Sequence, residues 1–269
     1  MYTFTYVPLS TIVATETNFT GQKLLHALNR VEITKTTTRF HKKKKKNIEY
    51  TTRTKVYDDK FMSKDVEEDI KNATSIQLKH DGCCGCIVFD EKTQELIPYT
   101  RYDIKRNKKT KEFNEPEKGW IQCEPKPTKP EATHWPHMRR CSEEPKQYKH
   151  QIYAFEQAKK SGMLDDIKKT FMCEYMGKKV NYKKEDPIDE NCLIVPHGSY
   201  SIDIPIEKRN YTGFREVMEM YPDIEGFVIY GKLNTYKIRR DAFSGLDWPS
   251  GATNDKINRF SEKAALGHK

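Results

Sequence analysis

No apolar run in these 269 residues approaches the ~20 needed to span a bilayer, and residues 1–10 lack a basic stretch followed by an apolar core. Neither a membrane span nor a secretory leader is expected. No internal repeat is present. The seven cysteines are an odd number at irregular spacings, which argues against a disulfide framework and for free thiols in a reducing compartment, cytoplasm or nucleus. Apolar residues are only 36% of the chain against 32% charged, so an intracellular protein without a membrane partner is expected. What the chain has in excess is positive charge. Lys+Arg number 48 against 39 Asp+Glu, a formal +9. Such a surface favours nucleic acid or nucleotides through phosphate contacts and counterion release, although it also serves solubility alone.

Strand-like and helix-like stretches alternate irregularly. Residues 2–7, 31–39, 48–56, 75–78, 84–89, 95–101, 170–176, 192–195, 199–204, 226–230 and 235–240 carry β-branched, aromatic or alternating apolar patterns expected of strands. Helices are expected at 19–30 with Leu24, Leu25 and Leu28 on one face, and at 64–70. Others are expected at 148–158, ended by Gly162, at 211–221 and at 255–265. A tight turn is expected at 231–234. Many antiparallel strands with a few interposed helices indicate an α+β domain. Two segments differ in kind. His41 is followed by five consecutive lysines, 42–46, which repel one another and belong in a solvated hairpin tip. A nuclear-import signal or an RNA-touching loop are the other readings. Residues 105–140 hold Pro116, Pro125, Pro127, Pro130 and Pro136 with Trp120 and Trp135, and are expected to be a surface excursion with its aromatics pinned to the body. Neither a continuous helix nor a central strand is expected there.

Lys79-His80-Asp81-Gly82 lies between the strands at 75–78 and 84–89. Asp-Gly favours a tight turn, because glycine accepts positive φ and aspartate bonds nearby backbone N–H groups. Lys79 is then either an ordinary strand-end lysine of a hairpin or an amine held at the mouth of a sheet. Four further pieces favour the second reading. Arg101 ends a strand. Glu174 is an acid inside the apolar run 171–177. Glu225 stands immediately before the strand at 226–230. Lys237 and Arg239 alternate in Tyr236-Lys237-Ile238-Arg239-Arg240 and share one strand face by the two-residue period.

In this order the pieces resemble the covalent nucleotidyltransferases: DNA ligases, RNA ligases and mRNA capping enzymes. The resemblance runs through Lys79-His80-Asp81-Gly82, Glu174, Glu225-Gly226 and Lys237-Ile238-Arg239, and covers roughly residues 70–249. Within that superfamily the chain is most similar to the small 5′-to-3′ RNA ligases of animals and viruses. Two more stretches carry that likeness: Leu193-Ile194-Val195-Pro196-His197-Gly198-Ser199-Tyr200, and Arg240 followed by Gly245-Leu246-Asp247-Trp248-Pro249. Two positions depart. Cys84 stands where many DNA ligases and capping enzymes carry arginine, and Arg239 stands for the second of two lysines.

The resemblance implies a single adenylyltransferase domain over residues 1–250, of antiparallel sheets with flanking helices. Residues 251–269 would be a tail or short helix. The 29 residues after Arg240 are too few for an OB-fold, which weighs against a capping guanylyltransferase or DNA ligase; a non-enzymatic RNA-binding protein is the remaining alternative. It implies an ATP-dependent RNA ligase, acting as a monomer on RNA with 5′-phosphate and 3′-hydroxyl ends. Lys79 would form lysyl-AMP, with Lys237 and Arg239 as phosphate-binding cations that also lower its pKa. Glu225 and Asp81 would hold Mg²⁺, with Mn²⁺ able to substitute. Glu174 and Arg101 would take the ribose. The segment 197–200 is expected as the strand against adenine, with His197 stacking and Tyr200 in reserve; Gln77 would reach the base edge and Gly82 would close the turn. Cys83, Cys84, Cys86, Cys123 and Cys141 with His134 and His137 suggest zinc, but Cys-Cys-Gly-Cys lacks structural zinc spacing and reads as buried strand thiols.

Overall fold

A computed structural model describes residues 2–15, 21, 23–41, 43, 45–177, 180, 187–188 and 190–246. The chain is α+β. In order its elements are β1 (Phe4–Tyr6), α1 (Leu9–Thr15), β2 (Leu25–His26), β3 (Leu28–His41), β4 (Lys46–Phe61), α2 (Lys64–Lys71), β5 (Ser75–Lys79), β6 (Cys83–Asp90), β7 (Glu95–Lys105), β8 (Ile121–Gln122), β9 (His134–Arg140), α3 (Lys149–Lys160), β10 (Phe171–Met176), β11 (Leu193–Pro196), β12 (Tyr200–Ile202), α4 (Tyr211–Met220), β13 (Gly226–Tyr230) and β14 (Thr235–Arg239).

The strands form two six-stranded sheets and one ribbon. Sheet I has the order β1-β12-β5-β13-β14-β2, sheet II the order β11-β10-β6-β7-β9-β8, and β3 pairs only with β4. Of the pairings between described strands, only β14 with β2 is parallel. Alternation dictates the faces. Ile76 and Leu78 of β5, and Tyr236 and Ile238 of β14, enter a core with Phe227 and Ile229. There they meet Phe214, Val217 and Met218 of α4, and Ile70 of α2. On sheet II, Ile87, Phe171, Cys173 and Tyr175 pack against Ala154, Phe155 and Ala158 of α3. The opposite faces of both sheets carry the polar residues described below.

Local chemistry sets the helix ends. Ser63 accepts a hydrogen bond from the Val66 amide to cap α2, with Asp65 and Glu67 in its first turn. Asn210 caps α4 by accepting from the Gly213 amide at 3.0 Å. Asp69, buried on α2, reaches the β13–β14 turn and accepts from the amides of Lys232 (2.7 Å), Leu233 (3.1 Å) and Asn234 (3.1 Å) and from the Tyr236 hydroxyl (3.0 Å). These bonds hold its carboxyl below the usual carboxylate range, although burial acts the other way. The turn that fixes the register of β14 is thus pinned by one side chain 163 residues away.

Several expectations fail for identifiable reasons. The helix expected at 19–30 is replaced, over its described part, by β2 and the start of β3. Leu25 is exposed, whereas Ala27 and Leu28 enter the sheet I core, so the three leucines do not share a face. Lys79 and Cys83 are not joined by a hairpin: β5 lies in sheet I and β6 in sheet II, and the four-residue motif is a crossing between sheets. Residues 134–140 of the proline-rich excursion form β9, which has a strand on either side, with Pro136 opposite Asp103. The missing N–H of Pro136 is tolerated while its carbonyl accepts from the Cys123 amide. Phe113, Trp120 and Trp135 do pack together. His197 lies in a turn and not in a strand; only from Tyr200 does β12 begin. Helix α1 was not anticipated. Asp247, Trp248 and Pro249 and the helix expected at 255–265 lie outside the described residues, as do Lys42 and Lys44.

Candidate active site

The chain crosses between sheets twice at one place. It leaves sheet I through Lys79-His80-Asp81-Gly82 and returns to it through His197-Gly198-Ser199. Between the crossings, three adjacent strands of sheet I, β5, β13 and β14, set two rows of side chains on the face away from α4. Lys79 and Arg239 flank Gly226, and Gln77 and Lys237 flank Val228. Gly226 leaves a gap between the two cations of its row, and its backbone lies so close to β14 that a Cβ would stand 2.1 Å from the Ile238 carbonyl oxygen.

Glu225, 4% exposed, fills that gap. Its Oε2 accepts from Lys79 Nζ at 2.6 Å, and its Oε1 lies 3.8 Å from Arg239 Nε. Sheet II supplies the facing wall. Glu174 of β10 stands opposite Cys84 of β6 and meets His197 with its Oε2 3.2 Å from the imidazole Nε2. Gly82 is required here: a Cβ would lie 2.3 Å from the Tyr175 carbonyl oxygen and 2.9 Å from Glu174 Cγ. Arg101 of β7 interacts with Glu174 and Asp103, with its Nε 3.5 Å from Asp103 Oδ1. Gln77 lies over the second crossing, its amide about a contact distance from where a Gly198 side chain would begin.

The electrostatics divide the site in two. At Lys79, burial acts to lower the pKa, but the carboxylates of Glu225, Glu174 and Asp81 outweigh it and hold the ammonium charged. Burial pushes Glu225 up to about 7 against the pull of Lys79. Lys237 behaves oppositely: burial, then Lys79, Arg239, Arg101 and Arg30, bring it down to about 8. The expected depression by neighbouring cations therefore falls on Lys237 and not on Lys79, because the acids crowd the Lys79 end.

Three contributors were not expected. His26 of β2 pairs with Lys237 across the parallel edge and is lowered to about 3 by burial and by Lys237, Arg30, Arg239 and Lys79. Arg30 sits over the Tyr57 ring at 4.7 Å and meets His26 Nε2 at 2.7 Å. His80, buried in the first crossing, is likewise lowered to about 3 by burial, His197 and Lys79. No local pattern marks His26 or Arg30, since a two-residue strand has no periodicity to read.

Of the expected residues, the structure gathers Lys79, Asp81, Gly82, Arg101, Glu174, His197, Glu225, Lys237 and Arg239, with Gln77 at the margin. Tyr200 stands apart, buried in the sheet I core with its ring 5.5 Å from that of Tyr6. Cys86 and Cys123, two of the suspected zinc residues, are packed in an apolar cluster with Met138 and Met172, and all seven cysteines are free thiols. A different trio, Cys84, Glu174 and His197, brings its donor atoms within 4.8 Å of one another. A separate groove of about 670 Å³, lined by Phe61, Ser63, Glu207 and Tyr211 among others, shares no residue with this site.

The fold and site together define an α+β protein in which a half-buried lysine pairs with a buried glutamate at the meeting of two mostly antiparallel sheets, with acids on one side and cations on the other. No family model, no curated protein and no solved structure matches the chain. No described helix is long and apolar enough to cross a membrane.

Proposed function

We propose that this chain is an ATP-dependent RNA ligase working through a lysyl-AMP intermediate. The observation that carries the reading is the 2.6 Å contact between Lys79 Nζ and Glu225 Oε2, residues 146 positions apart, with Glu174 and the Lys237–Arg239 pair around it. An amine, a buried acid beside it and a cationic bank are what nucleotidyl transfer to lysine needs.

The Lys79 nitrogen attacks the α-phosphorus of ATP; a P–N bond forms and the P–O bond to pyrophosphate breaks. The adenylyl group passes to the 5′-phosphate oxygen of RNA, breaking the P–N bond. The 3′-hydroxyl oxygen then attacks that 5′-phosphorus, and AMP leaves. In the unliganded site Nζ is an ammonium held by Glu225. Before attack that ammonium gives up one proton to solvent, which is easier once the Glu225 charge is engaged elsewhere, and Arg239, with its Nε 3.8 Å from Glu225 Oε1, is placed to engage it. Lys237 and Arg239 neutralise the phosphates. Glu174 accepts from the ribose hydroxyl and Arg101 donates to the sugar, while His197 offers the ring for adenine. Glu225 and Asp81 are hard oxygen donors that both act on Lys79; that donor set fits Mg²⁺ or Mn²⁺, which would supply charge neutralisation at the phosphates.

The test is incubation with α-labelled ATP and Mg²⁺, followed by denaturing electrophoresis. A covalent adduct is expected from the natural chain and none from Lys79→Arg, which keeps the charge facing Glu225. An equal adduct in the arginine variant, or no adduct with any nucleotide, overturns the proposal. Labelling by GTP instead would point to a capping guanylyltransferase, and sealing of nicked DNA but not RNA to a DNA ligase.

A further inference from the structure

The chain's net charge is not spread evenly along its sequence. Residues 35–55 contain nine cations and one acid, Glu49, and so carry +8 of the chain's +9. The described residues of that segment form the outer part of the β3–β4 ribbon. Its register runs unbroken from Arg30 opposite Tyr57 to His41 opposite Lys46. At ~3.4 Å per residue the ribbon reaches about 37 Å between these points. Among the described residues of 31–56 none is buried. A two-stranded ribbon without a packed face is only marginally stable by itself, so burial does not explain its length. Phe40, 62% exposed, and Tyr50, 39% exposed, add two aromatic rings to the outer part. At its root the same ribbon places Arg30 and Tyr57 on His26, beside Lys237.

We propose that the β3–β4 ribbon is an arm that grips the single-stranded RNA whose end lies in the Lys79 site. Its lysines and arginines take the phosphates and its exposed rings take bases. Cations along a track with interleaved aromatics are how single-stranded nucleic acid is held without sequence preference. The reach of the ribbon corresponds to about ten stacked nucleotides at ~3.4 Å each. The grip on a phosphate backbone stands on the charge and shape of the ribbon; the choice of RNA rests on the ligase reading.

The test compares binding of labelled 5′-phosphorylated single-stranded RNA of 24 and 8 nucleotides by fluorescence anisotropy across a salt series. Two variants are used. One is Lys43→Gln, Lys45→Gln, Lys46→Gln. The other replaces residues 36–51 by Asn-Gly, closing the registered pair Lys35 and Thr52 with a two-residue hairpin turn. The natural chain should bind the 24-mer at least tenfold more tightly than the 8-mer. Both variants should lose that advantage, and the triple variant should lower the salt slope by about 2. Both should keep adenylation of Lys79. Unchanged 24-mer affinity and slope in both variants overturn the proposal, as does an arm-dependent preference for duplex over single-stranded RNA. If no protein–AMP forms but the length advantage still depends on the arm, the ligase reading fails and the arm stands.

Discussion

Replacing Glu225 by glutamine should make the Lys79 amine easier to deprotonate. Burial at Nζ favours the neutral amine, and three carboxylates, Glu225 foremost, favour the ammonium and prevail. Glu225 Oε2 stands 2.6 Å from Nζ. Unit charges at that distance interact by about 6 kcal/mol at an effective dielectric of ~20. The Lys79 side chain is 22% exposed, and Glu174 and Asp81 remain in the variant, so screening and the surviving acids cut the effect to about 3 kcal/mol. The neutral fraction at pH 8 then rises by about a hundredfold. The assay is trace acetylation with isotopically labelled acetic anhydride from pH 7 to 11. The Lys79 peptide is quantified by mass spectrometry against exposed Lys92 of the same chain. Glu225→Gln should move the Lys79 midpoint down, and Glu174→Gln should move it the same way by less. A midpoint that shifts by less than about half a unit, in a variant with unchanged circular dichroism, refutes the balance of forces argued for this site. Linkage sets a companion sign. The folded pKa of Lys79 is raised, so the stability this group contributes is complete below its unfolded value of 10.5 and fades as pH climbs through the folded value.

Tripolyphosphate should raise the Tm of the natural chain, and Lys237→Gln should weaken its binding by about 10–100-fold, the loss of one charge-assisted contact. Because Lys237 sits at about 8, affinity should fall as pH rises through 8 in the natural chain and hold in Lys237→Arg; an affinity independent of pH up to 9 in the natural chain counts against Lys237 as a phosphate ligand. Asp69→Ala, which strips four hydrogen bonds from the β13–β14 turn and the adjoining Tyr236, should cost about 2–4 kcal/mol in denaturant melts. Asp69 has a depressed folded pKa, so its contribution is present above about pH 4 and lost as pH falls through the folded value. The natural chain's stability should therefore decline more steeply in acid than the variant's. Gly82→Ala should lower stability and reduce adduct formation together, since its Cβ meets the Tyr175 backbone; normal values of both would show that the first crossing has room to spare.

Pattern reading recovers the strands that carry the site because their alternation is local. Ile76 and Leu78 point inward and Gln77 and Lys79 outward within five residues of chain, and Tyr236 to Arg239 repeat the arrangement. It fails where pairing is decided at a distance. Asp81-Gly82 has the composition of a hairpin turn, and nothing local reports that Gly82 must instead slide past Tyr175 and Glu174 into a second sheet. Leu24, Leu25 and Leu28 have helical spacing, yet β14 offers an unpaired edge that residues 25–26 complete, and Leu28 is worth more in the core than on a helix face. That same edge brings His26 and Arg30 to Lys237, which is why neither could be found from sequence.

The charge state of Lys79 shows the deeper reason. Local sequence supplies one acid near it, Asp81, and a general argument from nearby cations predicts a lowered pKa. The fold adds Glu225 and Glu174 from segments far along the chain and reverses the sign. Lys237, on the same sheet face and two strands away, feels the opposite majority and is lowered. Residue type alone assigns these two lysines the same protonation behaviour. The crossing of the chain between sheets makes them different, by setting acids against the Lys79 side of that face and leaving Lys237 among cations. A reaction needing a nucleophilic amine beside a fixed phosphate-binding charge would exploit that split. It would begin when a bound polyanion, drawn first to the Lys237 end, changes which neighbours Glu225 answers to.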